Sequence, residues 1–319
     1  MKKVAMFVFV IAALLSASVS IAGEKFPVRK IDVIVPYGPG SGTDTTMRAL
    51  APSLQKVLGV PVVVQNVAGS GGLRGMEFSA KQPPDGYTLF MCTPTHILAQ
   101  IQKLSPINLT EKFDPLVGLV QDSTLVTTKA GGRFKTWKEM AAYAKDHPGE
   151  VTVAGLSPKG IDAVSMRMLA KAAGIELTFV PFGSGAEATS AILGGHVDLA
   201  NEGPADAYDM IMGGEQLALL VASDRRLSDL PDVPTSIDEG LNVVTGPWRA
   251  LCVPKGVDAE KMVILQDALE KAFNSPEFQE WLKKTMLDQR PGWRRSEDLG
   301  KKWQEDLEFF TNAFKELGL

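Results

Sequence analysis

Residues 31–58, "IDVIVPYGPGSGTDTTMRALAPSLQKVL", hold one unit of the fold in three parts. Ile31 to Val35 is an almost continuously apolar run, as expected of a strand covered on both faces. Three glycines and two prolines then make a tight turn. In 45–58 the residues Met47, Leu50, Leu54, Val57 and Leu58 recur at helical spacing, and Gly59 supplies a stop. Pro52 sits inside that stretch and predicts a kink, or a first turn shifted toward it.

The same strand–turn–helix rhythm repeats outward. Further apolar runs lie at 62–65, 87–92, 151–154, 177–180, 197–200, 217–222 and 250–253, with helical patterns between them. Such alternation predicts an α/β protein with mainly parallel sheets. Residues 115–128 read as a long extended stretch able to cross from one lobe to another, with a return near 222–226. The expected division is a first lobe of 23–121 plus 222–319 and an inserted second lobe of 122–221. The last third is helical. Asp258 and Ser275 are expected caps, Pro276 an expected first-turn residue, and Ser296 the start of a last helix. On that helix Leu299, Trp303, Leu307, Phe310 and Phe314 share one face and read as core.

The first 22 residues read as an export signal: Lys2 and Lys3, an apolar run from Val4 to Leu15, then Ser20-Ile21-Ala22 at the cleavage positions. The apolar run is short for a membrane span, and no cysteine near the cleavage site offers a lipid anchor. Removing the two lysines leaves 31 basic against 37 acidic residues, a charge of −6, which argues against a nucleic-acid partner. Cys92 and Cys252 read as two small buried hydrophobes, and the sequence does not place them within bonding reach.

Four turns follow strands in the position where open α/β sheets bind ligands: "PYGPGSGTD" (36–44), "NVAGSGG" (66–72), "GLSPKGID" (155–162) and "PFGSGAE" (181–187). Helix starts there present unpaired N–H groups and a partial positive charge. Glycine lets backbone approach a ligand, while Ser41, Thr43, Ser70, Ser157 and Ser184 add hydroxyls. The spacing fits neither the G-x-G-x-x-G nor the G-K-[ST] phosphate motif. Basic residues are absent from 36–46 and 66–72, which favours a carboxylate over phosphate. Catalysis finds little support. Ala68 stands where a nucleophile elbow around Ser70 needs glycine, and His96, His147 and His196 have no metal-ligand spacing. No cofactor and no metal are expected. Asp44 reads as a cap.

The stretch 30–90, from "KIDVIVPYGPGSGTD" through "VVVQNVAGSGG" to "PDGYTLF", resembles the opening of the solute receptors of tripartite tricarboxylate transporters, the Bug-type receptors. "FVPFGSGAEATSAILGGHVDLA" (179–200) and "LPDVPTSIDEGL" (230–241) resemble two further motifs of that family, so the likeness covers nearly all of the chain after the signal. The resemblance implies a two-lobed periplasmic binding protein of type II, with a ligand cleft between the lobes. It also implies capture of a small organic carboxylate, delivery to membrane permease subunits, and a monomer without catalytic activity. The other readings are an exported partner of a sensor and, further off, a secreted hydrolase.

Carried onto this chain, the resemblance implicates Tyr37, Gly40, Ser41 and Thr43 in the first turn, and Ser70 and Gly71 in the second. Thr93 and Thr95 follow the third strand. Ser157, Lys159, Gly160, Phe182, Gly183 and Ser184 would cover the ligand from the second lobe. Two side chains stay open at this point. Lys159 either meets a distal carboxylate or stands exposed beside Asp162, and Arg74 either enters the cleft or covers the sheet edge.

Overall fold

The computed structural model describes residues 26–318, and the expected export segment lies outside them. The quoted unit folds as β1 (Ile31–Val35) and α1 (Gly42–Leu58), followed by β2 (Val62–Asn66), β3 (Thr88–Cys92), α2 (Pro94–Ile101) and β4 (Phe113–Gln121). The chain then crosses into β5 (Leu125–Lys129), β6 (Thr152–Gly155), α3 (Ile161–Ala173), β7 (Thr178–Pro181), α4 (Gly185–Gly194), β8 (Leu199–Glu202), α5 (Pro204–Met212) and β9 (Gln216–Val221). It returns through β10 (Trp248–Pro254) and β11 (Arg294–Arg295) to α6 (Ser296–Leu317). One sheet has the order β11-β4-β10-β3-β1-β2 and the other β7-β6-β8-β5-β9.

Each sheet is mixed rather than mainly parallel. Among the described residues four strand pairs are parallel and five antiparallel. The parallel pairs join β1 to β2 and β3, and β6 to β7 and β8, where helical crossovers connect the strands. Connectivity explains most of the rest. β4 and β5 carry the chain from one sheet to the other, β9 and β10 bring it back, and each returning strand lies antiparallel to its outgoing partner. The two connections also bond to each other. Asp122 N donates to Pro247 O (2.8 Å) and Thr124 N to Thr245 O (3.0 Å).

The first sheet is covered on both faces. Ile31, Val33 and Val35 join one core with Met47, Leu50 and Leu54 of α1, while Ile34 turns to the other with Phe90, Cys92 and Cys252. Full burial of each α1 side chain contributes about 1.5–3 kcal/mol. Helix α1 starts three residues before the expected position because Ser41 caps it through the Asp44 amide. It runs on past Pro52, which is exposed, so the carbonyl deprived of its partner can turn toward water. Val57, by contrast, is exposed. The α6 stripe packs as expected: Leu299, Trp303, Phe310 and Phe314 are buried and Leu307 partly so. Both cysteines are free and buried on neighbouring strands, and burial pushes the Cys252 thiol up. Among the described residues no helix is long and apolar enough to cross a membrane.

Candidate functional site

A cavity of about 350 Å³ lies where the turns after β1, β3, β6 and β8 meet. Helices α1 through α5 all begin at its wall, where each first turn carries the partial positive charge of its helix. At the α1 end, Gly40 N donates to Asp44 Oδ2 (3.0 Å) and Asp44 N to Ser41 Oγ (3.3 Å). Arg48 Nε and Asn66 Nδ2 donate to the same carboxylate at 2.9 and 2.8 Å. Burial raises the Asp44 carboxyl, but Arg48 and the other donors outweigh it and hold it below its ordinary range. The turn is thereby clasped from behind. Ser41 and Thr43 are buried on the cavity wall, and the Thr43 hydroxyl meets no partner among the described residues.

Tyr37 Oη lies 2.8 Å from Thr93 Oγ1, and burial lifts the Tyr37 hydroxyl to about 12, so it stays protonated. Thr93 N donates to His96 Nδ1 (3.1 Å), which leaves Nε2–H to face Gly72 O (3.4 Å). With both nitrogens engaged and burial pulling it down to about 4, His96 is a neutral clip rather than a base. Gly72, at φ +98°, is required there, because a Cβ would press on His96 and the Tyr37 ring.

The opposite wall differs. Ile161 N donates to Thr95 Oγ1 (3.3 Å), and a Cβ on Gly71 would stand 3.0 Å from Ser157 Oγ, so the walls touch beside the cavity. Arg249 is buried between Asp122 (2.9 Å) and Asp206 (3.6 Å). Asp206 also receives the Gly203 and Gly42 amides, yet burial still raises its carboxyl. Asp162 accepts from Leu156 N (3.0 Å) and Glu202 from the hydroxyls of Thr127 (2.7 Å) and Thr189 (3.3 Å). Burial pushes Asp122 and Asp162 up to about 6 and Glu202 to about 7.

The profile of the tripartite tricarboxylate transporter family receptor, TctC, matches residues 46–319. The chain belongs to this family. It is 34% identical over 274 residues to protein BugT of Bordetella pertussis, covering 84% of this chain and 83% of BugT. It superposes on the periplasmic binding protein BugD with a TM-score of 0.83 at 27% identity, over 92% of this chain and 99% of BugD. MatC of Rhodopseudomonas palustris, solved with bound malate, gives 0.81 at 26% identity over 90% and 99%. The fold is therefore that of a two-lobed periplasmic binding protein.

In this TctC-family chain, nine of the residues singled out from sequence line the cavity: Tyr37, Gly40, Ser41, Thr43 and Gly71, with Thr93, Thr95, Ser157 and Gly160. Five do not. Ser70, at φ +50°, is exposed beside the cavity. Lys159 is exposed on an outer groove with Arg167 and Phe314; it makes no ion pair among the described residues, and its carbonyl accepts from Gln102. Phe182 packs against the buried cluster that holds Ala188, Ala191 and Ile192, Gly183 N is held by Glu187, and the Ser184 hydroxyl caps α4 through Glu187 N. Their neighbours Gly185 and Ala186 reach the wall instead. Arg74 is exposed against Gly69, and His147 and His196 are exposed away from the cavity.

Sequence reasoning missed the charged wall, namely Asp162, Glu202, Asp206 and Arg249. One signal was present: Arg249 is the lone charge in "WRALCVP", and a charge inside a buried strand needs partners. Nothing local marks Glu202, whose position depends on β8 ending at the cavity.

Proposed function

We propose that the chain is a periplasmic receptor that captures a small organic carboxylate in this cavity and hands it to the permease subunits of a tripartite tricarboxylate-type transporter. The observation that carries this reading is the α1 end of the cavity, where the buried hydroxyl residues Ser41 and Thr43 line the wall at a helix start and the Thr43 hydroxyl has no partner among the described residues. Such donors suit an anion without demanding a cation. The one guanidinium on the wall, Arg249, is already held between two carboxylates. MatC, a relative in fold and sequence, binds malate, which supports a carboxylate ligand here.

The two sheets are read as two lobes hinged on the paired connections at 121–125 and 243–248. The return is put later than 222–226 because Leu227 and Val233 pack beside β5 and β9, and Leu241 and Val243 also join a core of the second sheet. The receptor works as a monomer, with neither cofactor nor catalysis. Against a hydrolase stands exposed Ser70, with the nearby His96 occupied at both nitrogens. A sensor partner in place of a permease would use the same binding step.

Purified protein, freed of carried-over ligand by unfolding and refolding, is expected to show a thermal shift with some mono- or dicarboxylate, since a ligand of the folded state alone raises the melting temperature. No shift across aliphatic, aromatic and amino-substituted carboxylates would remove this reading.

A further inference from the structure

A second cavity, of about 530 Å³, lies against the paired connections on the side turned from the ligand cavity. Strand alternation separates the two. Pro247 and Arg249 line the ligand cavity, Gly246 and Trp248 line the second, and no residue lines both.

The walls of the second cavity carry four cations. Arg225 follows β9, Arg290 precedes β11, Arg294 opens β11 and Lys302 stands on α6. Two of them have a carboxylate. Arg225 meets Asp224 (3.5 Å), and Lys302 meets Asp306, which also accepts from Trp248 Nε1 (2.6 Å). Arg290 and Arg294 are half-buried and take part in no ion pair among the described residues. Arg290 Nη1 donates to Asp122 O (2.9 Å) and Ser123 Oγ (3.4 Å), and Arg294 Nη1 to Gly292 O (3.2 Å). A guanidinium has five N–H donors, so most of both forks is unspent.

Nearby charge does not make up the difference. Burial above all holds Arg290 below its ordinary range; Asp224 and Asp122 pull it back up, and Arg225 and Arg294 push it further down. Asp122 is already committed to Arg249 and Asp224 to Arg225. The remaining acid on the wall, Glu305, is exposed on α6. Gathering half-buried guanidiniums with so few acids is costly unless an anion joins them.

We propose that this cavity is a second binding site, for a doubly charged oxyanion of the phosphate or sulfate type, free or as a monoester, held by Arg290 and Arg294 with Arg225 beside them. Arginine forks take such oxygens two at a time, and two ligand charges answer the two unpaired guanidiniums. Phe309, which lines the cavity and is 44% exposed, offers a monoester an apolar surface. The site also bears on the crossing between the sheets. Arg290 is tied to 122–123, and a Cβ on Gly246 would stand 2.5 Å from Asp122 O, so the two connections are pressed together where the anion would sit.

The test is calorimetric titration of refolded, ligand-free protein at pH 8 and constant ionic strength in chloride, with phosphate, sulfate and phenyl phosphate. Phosphate or sulfate is expected to saturate one site and to raise the melting temperature above the chloride control. Arg294→Gln, which gives up only a bond to Gly292 O, should weaken that binding by about tenfold or more and leave carboxylate binding within about twofold. Arg290→Gln should weaken it as much; since it also releases the crossing, Arg294→Gln decides if that variant fails to fold. Phenyl phosphate binding tighter than phosphate would make the ligand a monoester, and weaker binding a free ion; both support the site. The inference is overturned if phosphate and sulfate add nothing to chloride, or if Arg294→Gln binds them as tightly as the unaltered chain. Loss of phosphate binding in Thr43→Val would put the ion in the ligand cavity and would also overturn it. None of these failures touches the carboxylate reading, which stands or falls on its own titration.

Discussion

Two turns of this molecule share a tetrapeptide pattern and part company in space. Ser41-Gly42-Thr43-Asp44 opens α1, and Ser184-Gly185-Ala186-Glu187 opens α4. In each, the serine hydroxyl accepts the amide three residues on, at 3.3 and 3.2 Å. In each, the acid reaches back to a glycine amide at 3.0 Å. The cap chemistry is the same. Yet Asp44 is buried under Arg48 and Asn66, while Glu187 is exposed. The third residue is a hydroxyl-bearing Thr43 in one turn and a methyl-bearing Ala186 in the other, and both line the cavity. A capping motif therefore says where a helix starts, while its surroundings decide whether the turn becomes a donor site or an apolar wall.

The sharpest contrast to break is in stability. Asp44→Ala strands three donors around a buried site and should cost about 3 kcal/mol in chemical denaturation, against about 0.5–1 kcal/mol for Glu187→Ala on the exposed cap. Equal losses would mean that the two turns are energetically alike.

The second contrast is in pH. Asp122, Asp162 and Glu202 are raised by burial, so between their ordinary range near 4 and the raised values of about 6 to 7 the folded state holds more protons than the unfolded one. Stability of the ligand-free protein should therefore fall as pH rises from 5 to 8, by up to about 5 kcal/mol if all three groups respond in full. Glu202→Gln should flatten part of that slope. Melting temperatures that climb over this interval would show that these carboxyls are not the controlling groups.

In binding, Thr43→Val should weaken the best carboxylate about tenfold, about 1.4 kcal/mol, through the loss of one hydrogen bond to charge. Ser184→Ala should leave affinity within twofold, because its hydroxyl serves α4. Titration of both variants separates donor turn from wall. The smallest expected effect is that of Lys159→Met, which should change neither mono- nor dicarboxylate affinity, since the side chain stands on the outer groove. A selective loss of dicarboxylates would return Lys159 to the cleft.

Legibility followed the same divide. The first-turn residues Ser41 and Thr43 were readable because strand, glycine turn and helix start are local and place those groups at a strand's end whatever else the chain does. The long extended stretch of 115–128 was readable as a crossing, but its pairing was not. β4 and β5 find antiparallel partners that arrive about a hundred residues later, and no local pattern announces them. Lys159 was legible only as a choice between cleft and surface, for a similar reason. The loop brings Ser157 and Gly160 inward, and the residue between them that carries the charge turns out to Gln102 and the C-terminal helix.

The amino-acid pattern by itself determined the α/β alternation, the helix caps and the donor-rich start of α1, because each depends on contacts within a few residues. Only the tertiary structure decided that Arg249 is held between Asp122 and Asp206, that Glu202 ends at the cavity, and that one capping serine is buried on the wall while its twin is not part of it. Those outcomes depend on burial and on charges brought together from opposite sheets. A raised carboxyl or a desolvated ion pair exists only after the chain has closed around it.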